Sequence, residues 1–382
     1  MVNWKEKTLG EVTSFITKGI PPKYSDYESE STIWVLNQKC NRNFEISYAD
    51  ARLHDYNFKK VPENKMLMNG DVLINSTGTG TAGRVAQLQN IKKPTTIDGH
   101  MILLRPTDDI DSLYYGYAIK SCQSQIEGLA EGSTGQTELN RKRLQDEIII
   151  KYPVDKQEQK AIAYFLLDLD EKIKINVKIN NNLEQQVSAL YQSWFENFHL
   201  TDGVCSESWS NQEFSTIAEI SSGKRPPIKA ESYSKETPIP IVGAASVMGF
   251  TSEANHKDKI LVTGRVGTHG IVQRFNTPCW TSDNTLVIKS SYYEFTNQIL
   301  KRIDYSSMNR GSTQPLITQG DIKKVRVLVP DAETLAKFET FAGTFMNQWE
   351  TNKQENVKLA SLRDTILPKL MSGELDVSNI DF

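Results

Sequence analysis

The sequence predicts an α+β protein in which two similar globular α/β domains alternate with two long helices. Three observations predict it: an internal repeat, a change to helical periodicity after each copy, and an identical heptad spacing in both helical segments. With 382 residues, the chain is long enough for two or three domains that each bury a core. We expect globular domains over 1–153 and 206–330, with helical spacers over 154–205 and 331–382.

The two globular segments repeat the same short motifs in the same order. The matched pairs are Trp4-x4-Leu9-x2-Val12 with Trp209-x4-Phe214-x2-Ile217, Lys18-Gly19-Ile20-Pro21-Pro22 with Gly223-Lys224-Arg225-Pro226-Pro227, Gly80-Thr81-Ala82-Gly83 with Gly267-Thr268-His269-Gly270, and residues 132–136 with 311–314. The offset between matched residues falls from 205 at the tryptophans to 187 at the glycine motifs. The two copies therefore differ by insertions inside the globular parts.

Short apolar runs bounded by Gly, Pro and Asn predict strands in both copies. These runs are residues 33–36, 72–74, 101–104, 260–262 and 286–288. Helices are expected near 113–129 and 293–303, and a final strand (148–152 and 325–329) leads into each long helix.

Each long helix is predicted by residues that recur at alternating steps of four and three. The first set is Ile162, Leu166, Leu169, Ile173, Asn176, Asn180, Leu183, Val187, Leu190 and Trp194; the second is Phe338, Ala342, Phe345, Trp349, Asn352, Asn356, Leu359, Arg363, Ile366 and Leu370. The two sets keep a constant offset of 176. Sustained 3.5-residue spacing predicts coiled-coil packing, the alternative being two amphipathic helices packed on separate domains.

Two asparagines lie near the middle of each predicted seam: Asn176 and Asn180 in the first, Asn352 and Asn356 in the second. A buried Asn weakens a coiled coil but fixes its register. Parallel and antiparallel pairing both bring these amides together, so the asparagines alone do not choose. The order repeat, helix, repeat, helix suits two halves related by a pseudo-two-fold and predicts antiparallel helices. Each seam of 33 residues would span roughly 50 Å at ~1.5 Å per residue.

The formal net charge of −3 is unevenly distributed. Residues 1–153 have a net charge of 0 and residues 206–330 of +4, whereas 154–205 and 331–382 have −3 and −4. The helices are therefore acidic, and the globular parts keep basic residues on glycine-containing loops. This division favours phosphate contacts by the globular parts and protein contacts by the helices.

Several classes of site are disfavoured by composition. The four cysteines form no CxxC pair and the five histidines have no metal-ligand spacing, so no metal site is predicted. No apolar run approaches the ~20 residues of a membrane span, so we expect a cytoplasmic protein without membrane contact.

Two enzyme-like motifs have simpler explanations. Gly78-x-Gly80-x-x-Gly83 matches a dinucleotide fingerprint, but that site needs a helix to begin at the glycines, and residues 84–88 favour a second strand. The expected structure is a tight turn with amides that face a phosphate. Acids near Asp155 and Asp331 resemble a nuclease metal cluster, yet they open helices, where acids stabilise the dipole. No catalytic residue and no bound cofactor is predicted.

The order of these motifs resembles the specificity subunit of Type I restriction-modification systems over essentially the whole chain. The features that carry the resemblance are residues 4–19, the glycine motif and its copy, residues 132–144 and their copy, both heptad helices, and the ending 369–375. The second globular part is shorter than the first, and Arg363 stands where the first helix has Val187.

The resemblance implies two target recognition domains, each specific for one half of a bipartite site in double-stranded DNA. It also implies an antiparallel helical spacer that sets the gap and binds two modification (methyltransferase) subunits. Those partners would bind S-adenosylmethionine and methylate adenine, and restriction/translocase subunits would use ATP and Mg. This chain would itself be non-catalytic.

Candidate DNA-binding residues follow from side-chain chemistry, because Arg, Asn and Gln suit base edges while Lys, Thr and glycine-turn amides suit phosphates. For base contacts the candidates are Asn37, Gln38 and Arg42 in the first domain and Arg265 and Arg274 in the second. For phosphate contacts they are Lys18, Lys23, Thr79, Thr81 and Arg84 in the first domain and Lys224, Arg225 and Thr268 in the second, with His269 as a further phosphate contact or base. Asn176, Asn180, Asn352 and Asn356 are the candidates for coiled-coil register.

Two other functions remain open on the sequence. One is a two-headed structural adaptor without DNA recognition. The other is a standalone enzyme that uses the glycine motif.

Overall fold

The computed structural model describes residues 3–132, 137–308 and 316–375. The chain forms two compact units, the first made of Met1–Ile175 and Glu355–Phe382 and the second of Asn176–Gln354. Each unit therefore contains one globular part and one half of each long helix. Residues 133–136 of the first repeated motif, and its copy at 311–314, lie outside the described residues.

The described residues of the first unit form fourteen strands and three short helices, and the first long helix starts in this unit. The strands are β1 (Trp4–Thr8), β2 (Thr13–Lys18), β3 (Tyr24–Ser25), β4 (Thr32–Leu36), β5 (Asn41–Arg42), β6 (Glu45–Ile46), β7 (Arg52–Asp55), β8 (Val72–Asn75), β9 (Val85–Gln87), β10 (Thr95–Ile97), β11 (Met101–Pro106), β12 (Ala130–Glu131), β13 (Glu138–Leu139) and β14 (Ile149–Pro153). The helices are α1 (Ser112–Ser121), α2 (Gln123–Gly128), α3 (Arg141–Glu147) and the long α4 (Lys156–Tyr191), which continues into the second unit.

The second unit repeats this order with fewer strands. They are β15 (Ser210–Glu213), β16 (Glu219–Ser222), β17 (Ile239–Val242), β18 (Val247–Thr251), β19 (Ile260–Gly264), β20 (Gln273–Phe275), β21 (Trp280–Thr281), β22 (Thr285–Lys289) and β23 (Arg326–Val329). The helices are α5 (Tyr293–Leu300), α6 (Gln319–Lys323) and the long α7 (Ala332–Ser372), whose last turns belong to the first unit.

Three β-sheets of the first unit have counterparts in the second. A four-stranded antiparallel sheet has the order β2-β11-β8-β9 in the first unit and β16-β22-β19-β20 in the second. A mixed sheet with one parallel pair has the order β10-β4-β7-β3 in the first and β18-β17-β21 in the second. A ribbon joins the first strand of each copy to the strand before its long helix (β1 with β14, β15 with β23). The predicted internal repeat and mixed α/β architecture are confirmed.

The helix expected near 113–129 is interrupted at Cys122, which separates α1 from α2. The Ser121 hydroxyl donates to the Ala118 carbonyl (2.7 Å). A serine that bonds its own preceding turn competes with the helical ladder. Apolar periodicity did not reveal this break.

The core of the first unit forms where α1 packs between its four-stranded sheet and α4. Tyr114, Tyr115 and Tyr117 are fully buried on α1. Their hydroxyls bond to the Lys151 carbonyl (2.9 Å), Thr13 Oγ1 (2.6 Å) and Asp170 Oδ2 (2.7 Å), in that order. Because buried hydroxyls need partners, these contacts fix α1 on the sheet and on α4.

The core of the second unit is an aromatic cluster between α5 and the two long helices. Phe295 lies 5.0 Å from Phe195 and 6.2 Å from Phe338, ring centre to ring centre. Tyr191 of α4 lies 6.1 Å from Phe338 of α7. Edge-to-face aromatic pairs of this kind add about 0.5–1.5 kcal/mol per pair beyond their burial.

The long helices run antiparallel in both units, as the fold class predicted. In the first unit Arg363 Nη1 lies 2.6 Å from Asp170 Oδ1, and Asn356 Nδ2 donates to the Ile173 carbonyl (3.3 Å). In the second unit Asn352 Nδ2 donates to Asn180 Oδ1 (2.9 Å), and Asn180 Nδ2 donates to the Trp349 carbonyl (3.0 Å). Higher numbers on α4 thus meet lower numbers on α7.

Arg363, which departs from the apolar seam, has a buried partner. Its guanidinium bonds to Asp170, whose side chain is 12% exposed, and to Asp364. Asp170 also accepts from Tyr117. The seam residue therefore links α7 to α4 and α1 through a satisfied polar network.

The acids that open the long helices act as N-caps. Asp155 Oδ1 accepts from the Gln157 amide and Asp331 Oδ1 from the Thr334 amide, both at 2.9 Å. The Thr334 amide bond holds the pKa of Asp331 below its ordinary value. Within the described ranges, no group of three His, Cys, Asp or Glu side chains is placed to hold a metal. No described helix is long and apolar enough to cross a membrane.

We predict that the second unit loses stability as pH rises because of Glu339 on α7. Its carboxylate accepts from the amides of Glu294 (3.1 Å) and Phe295 (2.8 Å), and burial raises its pKa from 4.5 to about 7. Between these values the folded chain keeps a proton that the unfolded chain loses. The free energy of unfolding therefore falls across this window, by at most about 3 kcal/mol.

Urea unfolding between pH 4.5 and 8 checks this expectation. Glu339→Gln removes the titrating group, so its stability curve should be flatter than that of wild type. Glu333→Gln, on the exposed face of the same helix, should keep the wild-type slope. Parallel curves for Glu339→Gln and wild type would refute the assignment.

Candidate nucleic-acid interface

The glycine motif of the first unit is a tight connection between two antiparallel strands, β8 and β9. Gly78, Gly80 and Gly83 have φ values of +103°, +70° and +89°. A Cβ on Gly83 would lie 2.7 Å from Glu127 Cα, so the turn packs directly on α2. No helix begins at the glycines, and the expected second strand is confirmed.

The copy of this motif in the second unit connects β19 to β20 in the same way. A Cβ on Gly264 would lie 1.9 Å from the Thr268 carbonyl, so the chain folds back on itself there. His269 Nδ1 lies 3.2 Å from the Gly264 carbonyl, and its Nε2 is buried without a partner. His269 therefore braces the turn, and a base or phosphate contact by its ring stays a prediction.

Two of the predicted base-contacting residues bond to the backbone of their own domain. Asn37 accepts from the Lys39 amide (2.9 Å) and donates to the Asp50 carbonyl (2.6 Å). Gln38 Nε2 donates to the Thr77 carbonyl (2.8 Å) and so braces the glycine turn. Their amides hold loops in place, and we remove both from the candidate interface.

Arg42, Thr81 and Arg84, which the sequence placed in separate motifs, line one cavity of about 560 Å³. Asn43, Val85, Lys120 and Gln123 complete its lining. Sequence reasoning missed Asn43 and Lys120. Asn43 carried a signal, because Asn is favoured in turns with positive φ. Lys120 carried none, since it lies on a helix whose neighbouring residues form the core.

The other basic candidates of the first unit lie apart from that cavity. Lys18 pairs with Glu138 beside a cavity of about 520 Å³ that Arg141 and Lys142 also line. Lys23 lies with its ammonium 5.5 Å from the centre of the Phe58 ring. The remaining candidate is Thr79, which is exposed on the glycine turn.

In the second unit the structure separates the exposed candidates from a buried one. Lys224, Arg225 and Thr268 are exposed, and Arg265 is half-buried. Arg274 forms a bidentate ion pair with Glu294 (2.5 and 2.6 Å), and the two side chains are only 11% and 5% exposed. Burial works to lower the pKa of Arg274, but the bonds to Glu294 outweigh it and hold that pKa raised. Its guanidinium is paired in the core, so the geometry favours a structural role for Arg274, and the base contact stays a prediction.

Each repeat consists of a four-stranded sheet with its glycine turn, followed by a long helix. Comparison with known proteins identifies this pattern. The family model of the Type I restriction modification DNA specificity domain matches residues 1–185 and again residues 206–360. The chain belongs to this family. The two matches correspond to the two repeats, and each extends into the long helix that follows.

Relatives of similar length support membership in the specificity-domain family. The MjaIX specificity subunit of Methanocaldococcus jannaschii is 27% identical over 418 residues, which cover 98% of this chain and 94% of that protein. The HindI specificity subunit of Haemophilus influenzae is 20% identical over 470 residues, covering 98% of this chain and all of that protein.

A solved structure shares the fold. The crystal structure of the Type I restriction-modification S subunit from Mycoplasma genitalium aligns with a TM-score of 0.58 at 19% identity, over 97% of this chain and 96% of that one. This family member therefore shares the fold of that S subunit over 97% of its length, and the family domain is present in two copies.

Proposed function

We propose that this chain is the non-catalytic DNA-specificity subunit of a Type I restriction-modification complex. Each globular part binds one half of a bipartite site in double-stranded DNA. The observation that carries the proposal is the presence of two family domains, each with the same four-stranded sheet and glycine turn. Because the proposed substrate is DNA, we place the complex in the cytoplasm.

The long helices have a separate role in this proposal. Their antiparallel seam sets the gap between half-sites, and their acidic surface, with net charges of −3 and −4, binds two modification subunits. Those subunits bind S-adenosylmethionine, and restriction/translocase subunits bind ATP and Mg. We keep 1–153 and 206–330 as the recognition domains and 154–205 and 331–382 as the spacers, with the four seam asparagines fixing the register.

The proposed DNA contacts are the candidates whose side chains the fold leaves at its surface or in open cavities. They are Lys18, Lys23, Arg42, Thr79, Thr81 and Arg84 in the first domain and Lys224, Arg225, Arg265 and Thr268 in the second. Phosphate contacts fix position, and base contacts supply specificity.

A heptad inserted into both helices, at the levels of Asn180 and Asn352, is expected to lengthen the gap between half-sites. Seven residues add roughly 10 Å at ~1.5 Å per residue, which is about 3 bp at ~34 Å per 10 bp. An insertion into α4 alone should impair folding, because the two helices would no longer match.

Methylation mapping in a host that carries this protein and its modification subunits measures the gap directly. The double insertion should keep both half-sites and change only their separation. An unchanged gap would rule out the spacer role. If the wild-type complex shows neither a bipartite methylated site nor salt-dependent binding of DNA, the structural-adaptor alternative is favoured instead.

A further inference from the structure

The cavity beside the first glycine turn contains a lysine that lacks a carboxylate partner. Lys120 Nζ donates to Gln123 Oε1 (2.7 Å) and lies 6.0 Å from the centre of the Phe44 ring. Among the described residues, no carboxylate lies within ion-pair distance of it. Burial lowers the pKa of Lys120, and the charge of Arg363 lowers it further.

The acids whose charges act on Lys120 are bonded to other groups. Glu127 accepts from Gln123 Nε2 (2.8 Å). Asp170 and Asp364 both accept from Arg363. A half-buried ammonium whose hydrogen bond goes to a neutral acceptor is only partly compensated, because the nearby carboxylates act on it from a distance and are bonded to other groups.

Two guanidinium groups share the cavity with Lys120. Arg84 Nη2 donates to the Gly80 carbonyl (2.9 Å), which uses one of its five N–H donors. Arg42 is exposed at the end of β5. Among the residues that the structure describes, the lining of the cavity includes three cations and no carboxylate. Such a cavity favours an anion.

A strained turn holds one wall of the cavity. Asn43 and Phe44 connect β5 to β6 with φ values of +54° and +65°. A two-residue turn of this kind prefers Gly in its second position, and a bulky residue there is costly. Phe44 is nevertheless kept because its ring is buried 5.0 Å from Tyr117. The core thus holds Arg42 and Asn43 at the cavity mouth at the expense of backbone strain, a pattern found at functional sites.

The second unit shows how the fold treats a comparable lysine when it has a structural role. Lys301 follows α5, the helix that corresponds to α1, and bonds to Glu184 of α4 (2.9 Å). Its neighbour Arg302 bonds to Glu196 (2.7 Å). Lys120, in the last turn of α1, lines a cavity instead. We therefore treat the cavity as a feature of the first unit.

We propose that this cavity binds a single phosphodiester group of DNA through Lys120 and Arg84, with Arg42 and Asn43 at its mouth facing the flanking nucleotide. The inference rests on the proposed DNA-specificity function and deepens it. The bound phosphate supplies the missing negative charge. The contact positions the strand against the first domain without selecting sequence.

The test uses the full chain in complex with its modification subunits and the variant Lys120→Met. DNA binding is followed by fluorescence anisotropy between 50 and 200 mM salt, on a duplex that contains the mapped site and on a scrambled duplex. We expect affinity to fall roughly tenfold on both duplexes, with the slope of log K against log salt reduced by about 0.9. Lys120→Arg should restore binding. Lys151→Gln, which alters a surface lysine paired with Glu6, should leave the slope unchanged.

The melting temperature of each variant shows whether Lys120 is instead structural. Loss of a poorly compensated charge should leave the melting temperature of Lys120→Met equal to or above that of wild type. A lower melting temperature with an unchanged salt slope would overturn the proposal, as would loss of affinity for the specific duplex alone.

An arm with inorganic phosphate separates a DNA phosphate from free phosphate. Suppose that inorganic phosphate at constant ionic strength raises the melting temperature of wild type but not that of Lys120→Met, while the salt slope of DNA binding is the same for both. The cavity then binds free phosphate, and the proposal fails. In each of these cases wild type still prefers the specific duplex. If wild type itself shows no such preference, the proposed function fails.

Discussion

A Gly223→Ala variant is expected to lose about 3 kcal/mol or more of the free energy of unfolding, and Gly19→Ala a similar amount. A Cβ on Gly223 would lie 2.0 Å from the Ser282 carbonyl oxygen. A Cβ on Gly19 would lie 2.1 Å from the Asp98 carbonyl oxygen and 2.2 Å from that of Ile97. Backbone carbonyls in a packed interior cannot move aside without disturbing the strands that hold them.

Urea unfolding of the full chain measures both losses, and Gly343→Ala provides the control. Gly343 lies within α7, where a Cβ meets nothing within 4 Å, so alanine should raise the free energy of unfolding by up to about 1 kcal/mol. Wild-type stability in Gly223→Ala would show that the close approach of the backbone at Gly223 to that at Ser282 is not required. Gly19 directly follows β2 and Gly223 directly follows β16, and these strands hold the same place in the two four-stranded sheets. The same packing therefore explains why each copy has glycine at that point.

Arg274→Met is expected to cost about 3–5 kcal/mol, because it leaves the buried carboxylate of Glu294 without its partner. Replacing both residues, as Arg274→Met with Glu294→Leu, should recover most of the loss, since an apolar pair of similar volume can occupy the site. Lys337→Met breaks a pair with Glu333 in which the side chains are 60% and 79% exposed, and it should leave the free energy of unfolding nearly unchanged.

Thermal and urea unfolding of these variants separate a structural role from a DNA contact. If Arg274→Met kept wild-type stability but lost affinity for the specific duplex alone, the prediction of a base contact at Arg274 would be supported. An equal loss in the single and double variants would show that the carboxylate of Glu294 is not the cause.

The regular elements were predictable because their signals are local. The apolar runs at 72–74 and 260–262 lie within β8 and β19, and each is followed by a glycine turn and a second strand. The seam spacing identified both long helices, since every fourth or third residue must face the partner helix. The break at Cys122 was missed because apolar periodicity does not report a local interruption of a helix.

The candidate site was only partly predictable, because a polar side chain does not reveal its own partner. Gln38 bonds to Thr77, 39 residues away, and Arg274 bonds to Glu294, 20 residues away. Both residues had the right chemistry for base edges, but the fold uses their donors internally. Arg42, Thr81 and Arg84 keep their candidacy because the fold brings them to one cavity.

The sequence by itself determined the duplication, the alternation of globular parts with long helices, and the separation of acidic helices from basic loops. Those features depend on residue order and local spacing. Only the tertiary structure decided which cations are paired and which are not. Lys301 bonds to Glu184, whereas Lys120 bonds to Gln123 and has no ion-pair partner within the described part of the chain. The physical reason is that ion pairing depends on distances of a few ångströms between residues far apart in the chain, and folding alone sets those distances.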